Sequence, residues 1–443
     1  QSDWFSFNAG VPQGSVLSPF LFLVFINDIP ECCSEYATLS MYADDIAVKP
    51  VKTGHEGDRL LVTAMYKMEV WADKWKMQFN AAKSKTLCFH NHQITPILKI
   101  DFNIKGNPLE RVKFFDYLGL RWQENCQWEQ HHAKILQQSR RISNLICSLI
   151  TSLGPTIHII RHLCHALIRT KITYGMPIWS NTTIEAWRQL DVPVVDPMRR
   201  CLGLPKSTSI NTLLVETNTL SAKHHHQAST ISFFMKAKRL PPSHATSQLI
   251  FQQQAQSTSA IHKRRSLTEL ARENAEILRI NINDYKATSK KLMLAALVHQ
   301  RLQWRASKQG ELIQRLSNDG PVLPQYLQSD LKTTATIRAR LRFDRSQLGS
   351  SLHRREITDS AICQHCDTKA LDTFNHVVAV CPLLSTERNW LRREAKAAQL
   401  PIQWADLEHW LLGDTSMLDC DRKQIALNIS AQYLQTINIK RKI

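Results

Sequence analysis

Two aspartates stand side by side between short runs of β-forming residues, in Met41-Tyr42-Ala43-Asp44-Asp45-Ile46. Thr38 to Tyr42 and Ile46 to Val48 read as two strands, so the carboxylates fall in a tight strand–turn–strand bend. Adjacent carboxylates raise each other's cost of ionisation, and packing gives no reason to keep them together. A divalent cation does. Magnesium takes carboxylate oxygens together with waters and phosphates. A pair of such ions activates a hydroxyl and stabilises a departing pyrophosphate. A solvated Asp-Asp turn is the ordinary alternative, so this pair needs company to carry meaning.

The segments around the bend predict a mixed α and β region. Ser18 and Pro19 look like a helix start, with Ser as N-cap and Phe20 to Asp28 as a mostly buried helix. Leu61, Ala64, Met65, Met68, Trp71 and Trp75 give Leu60 to Phe79 the spacing of an amphipathic helix. Thr86 to Phe89 and Lys113 to Leu120 read as further strands. From about Gln130 the character becomes helical, with a stripe through Ile135, Ile142, Leu145, Ile146 and Leu149, continued by Ile157 to Tyr174. Helical segments alternate with polar breaks between about Ser221 and Gln328, and Gln252 to Ser259 is the best linker.

Charge and cysteine content narrow the function classes. The 56 Lys and Arg exceed the 38 Asp and Glu, for a net +18, which favours a polyanionic partner because each cation beside a phosphate releases a counterion. Eleven irregularly placed cysteines do not make a secreted disulfide framework and fit a reducing compartment. The longest apolar run, Phe20 to Ile26, is far shorter than the ~20 residues of a membrane span. The chain opens on Gln1 with no methionine before Met41, so its start is expected to be internal to a longer frame.

One cluster near the end reads as a metal site on its own chemistry. Cys363-x2-Cys366-x9-His376-x4-Cys381 offers three thiolates and an imidazole, the donor set of a closed tetrahedral structural zinc. His365 is a poorer rival ligand. Just upstream, Arg338, Arg342 and Arg345 fall at i, i+4 and i+7, with Arg340, Arg354 and Arg355 nearby. This is either a face that grips RNA phosphates or an ordinary solvated basic helix. His224-His225-His226 has no evident metal partner and reads as a polar helix surface. Lys263-Arg264-Arg265 is a short candidate for nuclear import.

The company that the aspartates need lies on both sides of them. Gly10-Val11-Pro12-Gln13-Gly14-Ser15-Val16-Leu17-Ser18-Pro19 precedes Tyr42-Ala43-Asp44-Asp45. Asn80-Ala81-Ala82-Lys83-Ser84 and Tyr117-Leu118-Gly119 follow. Four signatures in this order resemble the reverse transcriptases of LINE-type (non-LTR) retrotransposons, of the Jockey-like kind. Trp128 with His131, Tyr174-Gly175 with Trp179, and Leu202-Gly203-Leu204-Pro205-Lys206 extend the likeness as structural positions.

The resemblance implies an α+β fold, with a partial right-hand polymerase palm over 1–123. A helical thumb and connection over 124–220, a helical linker region over 221–345 and a zinc-binding C-terminal region over 346–443 would follow. It implies that Asp44 ligates magnesium with Asp45 as a weaker companion, and that Tyr42 lies near the primer end. Gln13 and Gly14 would meet template and incoming nucleotide, Lys83 would face the pyrophosphate, and Tyr117, Leu118 and Gly119 would grip the primer. Its partners would be an RNA template, a DNA primer and target, deoxynucleoside triphosphates and the upstream part of the same polyprotein, in nucleus and cytoplasm.

That family also carries a metal-binding aspartate upstream of the segment at Gly10. Only Asp3 stands there, in the wrong context, so the chain alone is expected not to polymerise. The rival from another class is a non-catalytic nucleic-acid-binding remnant. A telomerase- or intron-like polymerase fits the cysteine cluster poorly.

Overall fold

The computed structural model describes residues 10–90, 100–151, 154–179, 183–248, 250, 266–284, 287–307, 309–316 and 320–443. Asp3, the Gln252 to Ser259 break and Lys263-Arg264-Arg265 lie outside them. The chain divides into two compact units, 1–131 and 132–443. Among the described residues the strands lie in the first, and helices dominate the second.

In the first unit, helix α1 (Ser18–Ile26) leads to strands β1 (Ala37–Tyr42) and β2 (Asp45–Pro50), then to helix α2 (Gly54–Lys74). β1 and β2 pair antiparallel, with Leu39 opposite Val48, Met41 opposite Ile46 and Tyr42 opposite Asp45. Because side chains alternate along a strand, Leu39, Met41, Ile46 and Val48 share the face that packs on the core of Ile26, Ile29, Ala64, Met68 and Trp71. Trp71 also donates its indole N–H to the Asp28 carboxylate at 2.9 Å, and Phe25 meets the rings of Trp71 and Trp75 edge-on.

Two expectations for this region need correction. Ser18 does not cap α1. It is the first helical residue, the N-cap position is Leu17 without a side-chain cap, and the Ser18 hydroxyl donates instead to the Pro12 carbonyl at 2.6 Å. Nor is α1 mostly buried: only Ser18 and Ile26 are, while Phe20 and Val24 are 65% and 60% exposed. Its sequence is apolar on every side, and α2 covers only one of those sides.

Four short strands follow, β3 (Lys85–Thr86), β4 (Asn103–Ile104), β5 (Asn107–Pro108) and β6 (Glu110–Arg111), and then β7 (Phe114–Tyr117) and β8 (Leu120–Gln123). β3 meets the strand expected over Thr86 to Phe89 only at Thr86, and it pairs parallel with β6. The stretch expected as one strand over Lys113 to Leu120 is a hairpin. Tyr117 pairs with Leu120, so Leu118 and Gly119 form a two-residue turn with φ of +48° and +80°. Two positive values make a type I′ turn, whose twist suits a hairpin and whose second position suits glycine.

The second unit opens with helix α3 (Glu129–Ser148), most of which lies in it. Helix α4 (Ile157–Leu163) runs through a π-helical stretch, Cys164–Arg169, into α5 (Thr170–Thr173). Helices α6 (Ile184–Cys201), α7 (Ile210–Glu216), α8 (Ala222–Lys238), α9 (Leu267–Ile277), α10 (Ser289–Arg305) and α11 (Glu311–Leu316) come next. α8, α9 and α10 share a core of Ala228, Ile231, Met235, Ala275, Leu278, Leu292 and Ala296. α9 begins with a full capping box between Ser266 and Glu269, two reciprocal bonds that satisfy its orphan amides.

The chain then forms α12 (Tyr326–Ser329), α13 (Lys332–Arg342), α14 (Gly349–Arg354), α15 (Ser385–Ala397), α16 (Trp404–Leu411) and α17 (Cys420–Arg441). Their shared core includes Ile337, Leu341, Val377, Leu391, Trp410, Tyr433 and Leu434. Among the described residues no helix is long and apolar enough to cross a membrane.

The triple histidine is not a polar surface. His224 and His226 are buried. His224 bonds Ser221 Oγ through Nδ1 at 2.7 Å and Gln303 Oε1 through Nε2 at 3.1 Å, and His226 packs on Trp187. Burial pushes all three histidines of the run down to about 4, because a desolvated imidazolium is costly.

Candidate active site and metal centre

The hairpin of β1 and β2 carries the paired aspartates beyond its own core. Met41 and Ile46 are the last pair turned toward α2, and Tyr42, Ala43, Asp44 and Asp45 are all exposed. Ala43 holds φ at +51°, a left-handed value that costs a non-glycine residue roughly 1 kcal/mol or more. A register that keeps Leu39 and Met41 in the core leaves both carboxylates in solvent at the tip.

The β7–β8 hairpin lies against this one. Tyr117 donates its hydroxyl to the Ser40 carbonyl at 3.3 Å, and burial, then the charge of Asp45, raises its pKa. Across the same hairpin Arg121 grips Asp116 with two bonds of 2.9 Å and lies over the Phe114 ring. Tyr117 is thereby brought to the carboxylate turn.

Gln13 and Gly14 are exposed in the loop before α1, where Gly14 has φ +90°. Lys83 projects into solvent from a turn in which its amide bonds Asn80 Oδ1 at 3.1 Å and Ser84 Oγ bonds the Asn80 carbonyl at 2.9 Å.

In the second unit the cysteine cluster is assembled. One ligand atom each from Cys363, Cys366, His376 and Cys381 lies within 4.8 Å of the others. Four ligands roughly 2.3 Å from a zinc stand about 3.8 Å apart, so the set fits a tetrahedral ion. His365 is not in the group.

Three local devices build it. Ile362 and Leu371 form a β-bridge, tied by Cys363 N–H to the Ala370 carbonyl at 2.9 Å and Asp372 N–H to the Ala361 carbonyl at 2.8 Å. This closes the loop that holds Cys363 and Cys366. The second device concerns a spacing of five. On an α-helix of about 100° per residue, His376 and Cys381 would point about 140° apart. Residues His376–Val380 are instead π-helical, and Cys381 N–H returns to the His376 carbonyl at 2.7 Å. Such single π turns recur at functional sites.

The third is electrostatic. Burial raises the Cys363 thiol, whereas a bond with the Thr368 hydroxyl at 3.0 Å lowers that of Cys366. Cys366 Sγ lies 3.4 Å from His376 Nε2.

The expected arginine face is a correction. α13 stops at Arg342, so Arg345 stands outside it and bonds the Asp344 carbonyl. Arg338 is fully buried. Its guanidinium grips both Asp330 oxygens at 2.8 and 2.7 Å and donates to the carbonyls of Leu411 and Leu427 and to Ser430. Arg342, 2% exposed, is engaged by Glu216, Leu412 and the Tyr326 ring. Neither is available to a phosphate. Sequence reasoning also passed over Asp372, Arg388 and Arg441, which lie beside the cysteine cluster and belong to no recognisable spacing.

Comparison with known proteins gives the chemistry of the first unit its class. Residues 1–122 match the family described as "Reverse transcriptase (RNA-dependent DNA polymerase)", and this stretch is reverse-transcriptase sequence. More particularly, the chain is similar to the RNA-directed DNA polymerase from mobile element jockey of Drosophila melanogaster. The two are 26% identical over 212 residues, 44% of this chain and 22% of that protein.

The probable RNA-directed DNA polymerase from transposon BS of the same fly is 27% identical over 206 residues, again 44% and 22%. The jockey polymerase of Drosophila funebris is 32% identical over 130 residues, 28% of this chain and 14% of that one. The likeness is thus to the RNA-directed DNA polymerases of jockey-like mobile elements. The chain spans about a fifth of the length of the first curated relatives it matches.

Proposed function

We infer that the chain serves RNA-templated DNA synthesis as part of a jockey-like retrotransposon polymerase, copying element RNA onto a primer at its DNA target. The first unit would be palm and the helices after it thumb. The observation that supports this most is the exposed Asp44–Asp45 turn with Tyr117 packed beside it inside the stretch of family sequence.

Asp44 and Asp45 offer carboxylate oxygens at the hairpin tip. Magnesium bound there would supply the charge that activates a primer hydroxyl and steadies the leaving pyrophosphate. Tyr42, exposed on the same tip, suits a contact with the primer end, and Tyr117-Leu118-Gly119 suits a grip on its backbone. Gln13 and Gly14 face template and nucleotide in this reading, and Lys83 offers a cation or proton to the pyrophosphate. RNA, DNA and deoxynucleoside triphosphates are its partners, together with the upstream part of the same polyprotein, in nucleus and cytoplasm.

Cys363, Cys366, His376 and Cys381 hold a structural zinc. All four positions of such an ion are filled by protein, so it contributes folding energy rather than chemistry.

Metal-directed cleavage tests the site in this chain. Ferrous ion in place of magnesium, with ascorbate and peroxide, should cut the backbone near residues 42–46. Asp44→Asn with Asp45→Asn should abolish the cut. Cutting that is uniform, or unchanged in the double variant, would contradict the reading.

A further inference from the structure

The side of the cysteine cluster that faces the protein is lined by buried charge. Arg441, from the last turn of α17, is 7% exposed, and Arg388, from α15, is 8% exposed. Arg441 Nη1 points at Cys363 Sγ at 3.8 Å, and its Nη2 pairs with Asp372 at 2.5 Å. Arg388 Nη2 donates to the Cys381 carbonyl at 2.9 Å. Arg388 Nη1, Arg441 Nε and His376 Nδ1 are buried with no hydrogen-bond partner among the described residues. Asp372 ties the same place to α14, accepting from the Gly349 amide at 2.8 Å. Glu387 is matched by Lys440.

Charge counting gives these groups a purpose. Two guanidinium groups against one Asp372 carboxylate leave +1 in a buried place when the three thiols are protonated, and an uncompensated buried charge is expensive. Three thiolates around a divalent ion carry −1, which cancels it. Outer groups that donate to metal ligands orient those ligands and tune the ion's affinity.

Resting on the zinc reading above, we propose that Arg441 and Arg388 are the outer counter-charges of the metal centre. Arg441 acts directly on the Cys363 sulfur, so that metal binding fixes the end of α17 against the cysteine loop. The metal thereby holds two distant parts of the sequence, 363–381 and 420–441, as one element. Arg441 is a positioning residue here, not a ligand.

The test uses the whole chain and zinc itself. Metal content and chelator competition are measured for the unaltered protein, for Arg441→Gln and for Arg441→Lys. One zinc per chain is expected in all three, with affinity lowered about 10- to 100-fold in the glutamine variant and partly restored in the lysine variant, which keeps the charge. Unchanged affinity in the glutamine variant at full stoichiometry would overturn the counter-charge role while the zinc reading stands. No bound zinc in the unaltered protein would remove both.

Hydrogen exchange on the unaltered chain avoids any folding defect of a variant. Stripping zinc should expose amides of 363–381 and of the last turns of α17 together, while 222–238 stays protected. If α17 keeps its protection after zinc is removed, the coupling is wrong.

Discussion

Arg342 and Glu216 form a buried ion pair, with Nε to Oε1 at 2.6 Å and Nη2 to Oε2 at 3.1 Å. Tyr326 adds its hydroxyl to the same carboxylate at 2.7 Å, so α7, α12 and α13 meet at one charge. Removing one partner of such a pair strands the other in a low-dielectric interior, a loss of about 3–5 kcal/mol. Arg342→Ala should therefore lower stability by that order in denaturant unfolding. A phosphate-binding arginine behaves differently: its loss leaves stability alone and reduces the salt slope of RNA affinity by about one. That second pattern would restore the role as a basic face.

The histidines set a pH limit. His224, His225 and His226 are held near 4 by burial, below the value of about 6.5 they regain on unfolding. The unfolded chain then binds more protons as pH falls below that value. Stability is unaffected above it and lost between about 6.5 and 4, with a slope of about 1.4 kcal/mol per pH unit for each histidine. Chemical denaturation across that range checks this. His226→Phe should flatten the curve, and an unchanged slope in that variant would argue against it.

Tyr117 joins two hairpins through one hydrogen bond, so Tyr117→Phe should cost only about 0.5–1.5 kcal/mol of stability. A larger effect is expected on primer retention, read as shorter products per binding event on an RNA template. Equal processivity would remove Tyr117 from the primer grip.

What was readable in the sequence follows from how local each feature is. The Asp44–Asp45 hairpin was legible because alternation of Leu39, Met41, Ile46 and Val48 determines its register by itself. The cysteine cluster was legible from donor chemistry, although the π turn that unites His376 with Cys381 is a backbone choice that no residue type signals. α13 misled because Arg338 and Arg342 show helical spacing, while Glu216, the partner of Arg342, lies 126 residues away and the Leu411 and Leu427 carbonyls that help to bury Arg338 come from distant helices. The histidine run misled similarly, since Gln303 and Trp187 bury it from other helices. α1 misled in the other direction: apolar content predicts burial, but burial requires a neighbour on each side.

Cys366→Ser should reduce zinc to well below one per chain and lower the melting temperature, since ligand binding to the folded state is folding energy. The same change at His365 should do neither, as that imidazole lies outside the ligand set. Metal analysis with calorimetry separates the two, and equal losses would reassign the fourth ligand.

The most direct measurement of the central claim is RNA-templated primer extension by the longer polymerase of which the chain is proposed to be part, compared among Asp44→Asn, Asp45→Asn and Asp116→Asn. If the turn grasps the catalytic cation, the first change should cut the rate by roughly 10²- to 10³-fold or more and the second by less. The third, whose carboxylate is spent on Arg121, should leave the rate within a few fold of the unaltered enzyme. Extension by Asp44→Asn at the unaltered rate and magnesium dependence would contradict the account.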